Sequence, residues 1–299
     1  MKLFIALVLL SSCFGYERWF TGPLIIPNAE VIEKGHTQIQ PYWFQYWIDG
    51  EYDKHWNKQD SITLRSSNIQ LNLIHGMAKN FDVQIIPQLF INSRGSSTST
   101  RMGDFPIYLG FQLLEDRPGT WEPALRFTVQ ETFPVGQYDR LGKQSAGSGA
   151  GSYQTGCTFN FLKSIPISKR TLMLYWSLGY TVFSPVSVKG RNVYGGDYKT
   201  RGKVYPGNIL EAILSFEFNL TQNWVITSDF VNTWRDADHF SGKTSLKNKR
   251  GSGYQLSIAP ALEYNFSKNL GIIAGSWVSA VGRNTITFTS AVIALNYVR

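Results

Sequence analysis

Leu210-Glu211-Ala212-Ile213-Leu214-Ser215-Phe216-Glu217-Phe218-Asn219-Leu220 sorts its residues by parity. The even positions hold Leu210, Ala212, Leu214, Phe216, Phe218 and Leu220, whereas the odd ones hold Glu211, Ser215, Glu217 and Asn219, with Ile213 among them. A helix would scatter these oily residues around its surface; a strand puts them on one face. The pattern recurs. Tyr254, Leu256, Ile258, Pro260, Leu262 and Tyr264 alternate with Gln255, Ser257, Ala259, Ala261 and Glu263. Leu172–Val182 and Phe81–Ile91 sort in the same way. Each run is longer than the ~5–6 residues of a mean soluble strand and matches the ~9–11 residues that a tilted strand needs to cross a bilayer.

Extended along the chain, the alternation predicts strands at 37–47, 62–75, 81–93, 105–114, 122–132, 153–163, 170–182, 208–219, 223–234, 253–265, 270–281 and 285–298. The expected fold is therefore all-β, a transmembrane antiparallel up-and-down barrel of about twelve strands. Short connections (76–80, 115–121, 164–169, 220–222, 266–269) alternate with longer ones (48–61, 94–104, 133–152, 183–207, 235–252). Only the hairpin at Gly282-Arg283-Asn284 is short on the long side. Short periplasmic turns and long outer loops are the outer-membrane pattern, which places both termini in the periplasm of a Gram-negative envelope. Aromatics near strand ends, among them Tyr42, Trp43, Trp47, Phe81, Trp176, Tyr180, Trp224, Trp234, Tyr254, Tyr264 and Tyr297, suit interfacial girdles. The last strand ends in Arg299 rather than in the aromatic that many bacterial barrels carry.

Composition agrees with this reading. Charged residues are 17%, aromatics 14% and mean hydropathy is −0.16, which excludes a disordered chain and a helical membrane protein. Lys2 followed by the apolar run Leu3–Leu10 is too short to span a bilayer and reads as a signal peptide, with cleavage after Gly15. Leu10-Ser11-Ser12-Cys13 also fits a lipobox, which would make Cys13 a lipidated N-terminus. Cleavage after Gly15 leaves Cys157 as the single cysteine, so no intramolecular disulfide forms.

The formal charge of +8 is concentrated in the long loops, with +4 in 183–207 and +3 in 235–252. Lys189, Arg191, Lys199, Arg201, Lys203, Lys243, Lys247, Lys249 and Arg250 suit the phosphates of lipopolysaccharide or simply a solvated surface. Nothing resembles a nucleic-acid recognition module. By alternation, Asp82, Arg126, Glu211, Glu217, Asp229 and Glu263 point inward, a net acidic wall that argues against an anion-selective pore. Buried charges of this kind need water or partners. They imply either a wet solute path built on Arg126, Gln130, Glu217, Asp229 and Glu263, or an ion-pair network in which Arg126 meets an acid across the lumen.

No cofactor fingerprint, metal spacing or catalytic motif appears. His55 and His239 fall in loops and His75 at a turn, so no histidine base stands beside a mid-strand serine. Asp236, Asp238 and His239 are residue types used at the rim of barrel proteases, but in a basic loop they read as solvated surface. The chain is not expected to be an enzyme.

Thr21-Gly22-Pro23-Leu24, Val31-Ile32-Glu33-Lys34-Gly35-His36, Gly103-Asp104 with Ile107-Tyr108-Leu109-Gly110, and Phe133-Pro134-Val135-Gly136-Gln137-Tyr138-Asp139 resemble segments of bacterial outer-membrane proteins of the meta-pathway phenol-degradation type. That resemblance implies a barrel engaged in uptake or export of small, often hydrophobic compounds. Residues 16–36 precede the barrel (37–299) and carry Trp19, Phe20, Leu24, Ile25 and Ile26 with two prolines. They are too oily to float freely and too proline-broken for a strand. They are expected to fold into the lumen as a partial plug or to dock onto a periplasmic partner. The expected function is a channel or transporter for small solutes set in outer-membrane lipid. The alternative is a structural or surface-interaction barrel without transport.

Overall fold

The computed structural model describes residues 19–117, 119–243 and 251–299. The signal peptide at 1–15, the lipidation reading of Cys13, and Lys247, Lys249 and Arg250 lie outside these residues. The strands are β1 (Thr37–Tyr52), β2 (Lys58–Ala78), β3 (Phe81–Ile85), β4 (Gln88–Arg94), β5 (Ser97–Met102), β6 (Phe105–Leu114), β7 (Ala124–Phe133), β8 (Gln154–Ile167), β9 (Arg170–Phe183), β10 (Val186–Lys189), β11 (Arg201–Tyr205), β12 (Ile209–Asn219), β13 (Trp224–Arg235), β14 (His239–Lys243), β15 (Gly253–Ser267), β16 (Leu270–Arg283) and β17 (Thr285–Val298). One short 3-10 turn, Gln144–Ala146, is the only helical piece among the described residues.

Fourteen of these strands form one antiparallel sheet that closes on itself, because β1 pairs with both β2 and β17. Two staves are broken. β3 and β4 are halves of one, interrupted at Ile86-Pro87, and β5 and β6 are halves of another, interrupted at Gly103-Asp104. Pro87 has no N–H for the ladder, yet its carbonyl accepts from Leu71 N at 3.0 Å, so the wall stays joined. Counted by stave, the barrel has the expected twelve strands.

Several boundaries differ from the alternation. The connections placed at 48–61 and 94–104 are mostly strand: β1 and β2 stay paired as far as Tyr52↔Lys58, and β4 and β5 form a tight hairpin from Arg94↔Ser97. Beyond the bilayer a ladder needs only backbone partners, so the oily alternation fades while pairing continues. His75 belongs to β2 rather than to a turn, with its ring against Thr37 Oγ1 at 2.8 Å. The loops 183–207 and 235–252 supply β10, β11 and β14, which form a separate three-stranded sheet.

The outward face is apolar. Leu178, Leu210, Leu214, Ile226, Phe230, Leu262, Ile293 and Leu295 are all exposed. Such an oily surface is stable only against lipid. On β13 and β15 the band is bounded by two aromatic pairs: Trp224–Tyr264 (centroids 4.8 Å apart) near the short turn and Trp234–Tyr254 (5.5 Å) near the long loops. The ten residue steps from Trp224 to Trp234, at ~3.4 Å each and tilted ~45°, span ~24 Å, the height of the apolar band in such barrels. Trp43 and Trp47 face outward as a girdle requires, but Tyr42 does not. It is buried inside the barrel, because β1 carries aromatics on both faces.

Candidate functional site: the occupied lumen

The interior is filled in its short-turn half by residues 19–32, which cross from β15 to β3. The segment has no sheet partner of its own along most of its length, so its backbone N–H groups must find acceptors on the wall. Glu263 Oε1 accepts from Thr21 N at 2.7 Å. Asp229 accepts from three successive amides, Leu24 N, Ile25 N and Ile26 N, each at 3.2 Å. Gln112 accepts from Val31 N at 2.8 Å and donates to Ala29 O at 3.1 Å. Asp82 Oδ2 accepts from Ile32 N at 3.2 Å, and Arg126 Nη1 donates to Asn28 O at 3.3 Å. Asn265 and Asn296 donate to the carbonyls of Trp19 and Thr21. Where the segment leaves the barrel, Gly35 N donates to Gly76 O at 2.8 Å. A Cβ on Gly76 would lie 2.2 Å from Glu33 O, so only glycine admits this approach.

Arg126 and Asp82 form a fully buried ion pair at 2.6 Å. The pair bridges β7 and β3 across β6, over Gly110, where a Cβ would stand 2.3 Å from both Arg126 Nη2 and Asp82 Oδ1. Gly110 is thus the notch that lets the pair form. Glu217 and Glu263 are fully buried, and Tyr175 OH donates to Glu217 Oε2 at 2.5 Å.

The five residues singled out for a solute path therefore divide. Glu217, Asp229 and Glu263 gather around Thr21–Ile26, and Arg126 sits with Asp82 at Asn28–Ile32. Gln130 joins neither group; it donates to Thr132 Oγ1 at 2.9 Å. Asp238 is a correction as well. It is buried rather than solvated, holding Arg235 at 2.5 Å and Gly207 N at 2.9 Å, and so fixes the outer rim instead of offering a catalytic acid.

Alternation missed the apolar side of the lumen. Tyr42, Phe44 and Tyr46 stack in sequence on β1, at 5.4 and 5.8 Å. Trp277 on β16 meets Phe44 and Tyr46 edge-on at 6.5 and 6.1 Å, and Phe288 closes the group at 5.2 Å from Trp277. Leu24 packs against this wall from the segment side. Across from it stand Asp82, Tyr108, Arg126, Thr128 and Asn160, and the two sides enclose a cavity of about 270 Å3. Toward the long loops a second cavity of about 670 Å3 opens between Tyr52, Asp53, Tyr194, Arg235 and Tyr254. Burial pushes the Tyr194 phenol up to about 12, so it stays neutral and donates to Ala150 O at 2.7 Å.

Twelve long antiparallel staves, an apolar outer band between aromatic pairs and a filled interior define an outer-membrane β-barrel. The chain belongs to the family described as "Putative MetA-pathway of phenol degradation", whose model matches residues 79–293. That stretch includes the resembling segments at 103–110 and 133–139 and begins after those at 21–24 and 31–36. No curated relative matches in sequence. Among solved structures, the COG4313 outer membrane channel from Pseudomonas putida F1 is similar at a TM-score of 0.74 and 13% identity, over 92% of this chain and 100% of that one. Weaker likenesses are to the translocator domain of autotransporter NalP from Neisseria meningitidis (TM-score 0.48, 10% identity, 89% of each chain) and the Pseudomonas putida toluene transporter TodX (0.43, 10%, 95% and 98%).

Proposed function

We propose that this barrel is an outer-membrane channel for small hydrophobic, preferentially aromatic, solutes, exported by the signal at 1–15 and closed at its inner end by the segment 19–36 acting as a plug. The observation that carries this reading is the aromatic wall of Tyr42, Phe44, Tyr46 and Trp277 inside a lumen that is ordinarily polar. A planar apolar solute gains from offset or edge contacts with such rings and finds polar partners across the cavity for a hydroxyl. The fold neighbour from Pseudomonas putida is a channel, which supports the same class.

The two ends of the barrel meet beside the short turns, where Thr37 N donates to Arg299 O at 2.7 Å; in this reading that side faces the periplasm. Arg126, Asp229 and Glu263 then act as the docking posts of the plug, Glu217 stands beside them held by Tyr175, and Gln130 lines the path above it. The proposed surroundings are membrane lipid along the apolar band and lipopolysaccharide at the outer loops. The reading requires no catalysis.

Uptake of a labelled monoaromatic compound by intact cells that express the protein tests this function. Uptake is expected to exceed that of cells without the protein and to fall several-fold in Trp277→Ala, which removes the ring touching three others. Equal uptake with and without the protein would overturn it.

A further inference from the structure

The outer sheet β10–β11–β14 is a continuation of the barrel wall. Only residues 184–185 separate β9 from β10, 206–208 separate β11 from β12, and 236–238 separate β13 from β14. The neighbour order β10–β11–β14 repeats that of β9–β12–β13 below it. The three staves therefore rise past the apolar band as a panel, whose β10 edge is joined to Asp139 and Arg140.

The two faces of this panel differ sharply. Val186, Val188 and Val204 are buried on one face, packed with Tyr194 and against Tyr138, Val193 and Phe240. Val193 and Tyr194 also line the mouth cavity, opposite Tyr52, Asp53 and Tyr254. The apolar face is thus turned toward the mouth, and the other face is turned away from it, above the lipid.

That second face is cationic. Lys189 pairs with Arg201, and Arg201 pairs with Lys243, so three basic residues stand directly opposite one another across three strands. The next row is Ser187↔Lys203↔Ser241. All six side chains are exposed. Like charges directly opposite, with Cβ atoms ~5 Å apart, destabilise a sheet. No acid occupies either row, and among the described residues no ion pair within 4.0 Å involves Lys189, Arg201 or Lys203. Lys203 lies over the Tyr205 ring, as Lys199 does over Tyr198, and Arg191 donates to Gly142 O.

We propose that this face binds the phosphate groups of lipopolysaccharide in the surrounding outer leaflet, with Arg201 as the central forked donor and Lys189, Lys203 and Lys243 around it. Guanidinium and ammonium groups form charge-assisted bonds with phosphate oxygens, and Ser187 and Ser241 add hydroxyl donors. A phosphorylated glycolipid is the occupant because the face looks away from the mouth that a free solute would enter and stands over the leaflet that carries fixed phosphates. The proposal rests on the outer-membrane orientation given above, with the long loops outside.

The test is native mass spectrometry of the detergent-purified full-length protein with phosphorylated lipid A bearing its inner-core sugars, with the same glycolipid after dephosphorylation, and with inorganic phosphate as competitor. The wild type is expected to hold the phosphorylated form at least tenfold more tightly than the dephosphorylated one. A quadruple variant, Lys189→Ser, Arg201→Ser, Lys203→Ser and Lys243→Ser, is expected to lose that preference while keeping the heat-modifiable gel shift of a folded barrel. If it misfolds, Arg201→Ser alone is expected to lose severalfold. Equal binding by wild type and variants, no preference for the phosphorylated form, or full displacement by millimolar inorganic phosphate would each overturn the proposal. Solute uptake by the same proteins separates the two readings. Uptake without glycolipid binding sinks this proposal alone, and glycolipid binding without uptake sinks the channel reading alone.

Discussion

The two halves of the lumen are built on different principles. In the short-turn half, charged and amide side chains of the wall meet the backbone of residues 19–32 one by one: Glu263, Asp229 and Asp82 accept from its amides, and Asp82 also holds Arg126. In the long-loop half, residues 136–150 and 190–197 fold against one another and onto the wall, with Asn92 Nδ2 donating to Gly147 O at 2.9 Å and Tyr194 OH to Ala150 O at 2.7 Å, and cavities remain between these loops and the staves. The difference teaches that the short-turn half uses buried acids to fix a strandless segment, which also packs Leu24 and Ile25 on the aromatic wall, whereas the loops of the other half are joined mainly by their own backbone hydrogen bonds.

Substitutions that separate these halves should differ in size. The largest effect is expected at the ion pair. Asp82→Ala strands a buried Arg126 and should destabilise the folded barrel by about 3–5 kcal/mol, read as a lower denaturant midpoint, whereas a double replacement of Asp82 and Arg126 by apolar residues should recover most of the loss. A smaller effect is expected at Asp229. Asp229→Ala removes the acceptor for three amides and should loosen the segment by about 2–3 kcal/mol, seen as faster proteolysis between residues 19 and 36 with an unchanged barrel. The smallest belongs to the upper half: Gln130→Ala should cost about 1 kcal/mol or less and leave that proteolysis unchanged. A Gln130→Ala variant that released the segment would dissolve the distinction between the halves.

Much of the barrel was legible in sequence because a strand with lipid on one side must alternate. Leu210–Leu220 and Tyr254–Tyr264 gave both the stave and its facing, and the inward placement of Glu217, Asp229 and Glu263 follows from parity alone. Parity is silent where both faces are oily. Gln38-Ile39-Gln40-Pro41-Tyr42-Trp43-Phe44-Gln45-Tyr46-Trp47 carries aromatics outward at Trp43 and Trp47 and inward at Tyr42, Phe44 and Tyr46, so the luminal wall is hidden among girdle residues. The Asp82–Arg126 pair joins positions 44 residues apart through Gly110, and no local pattern announces which inward acid meets which inward base. The outer panel was missed for a third reason: its strands of four to five residues are too short to show a period.

The most direct test of the account is single-channel conductance in planar bilayers, comparing the mature protein with a variant lacking residues 16–36. The account predicts a closed or weakly conducting wild type and a variant with stepwise, larger openings, both with the barrel confirmed as inserted. Identical conductance in the two, or an inserted variant that stays silent, would contradict the claim that the segment held by Asp229, Glu263 and Asp82 closes the lumen.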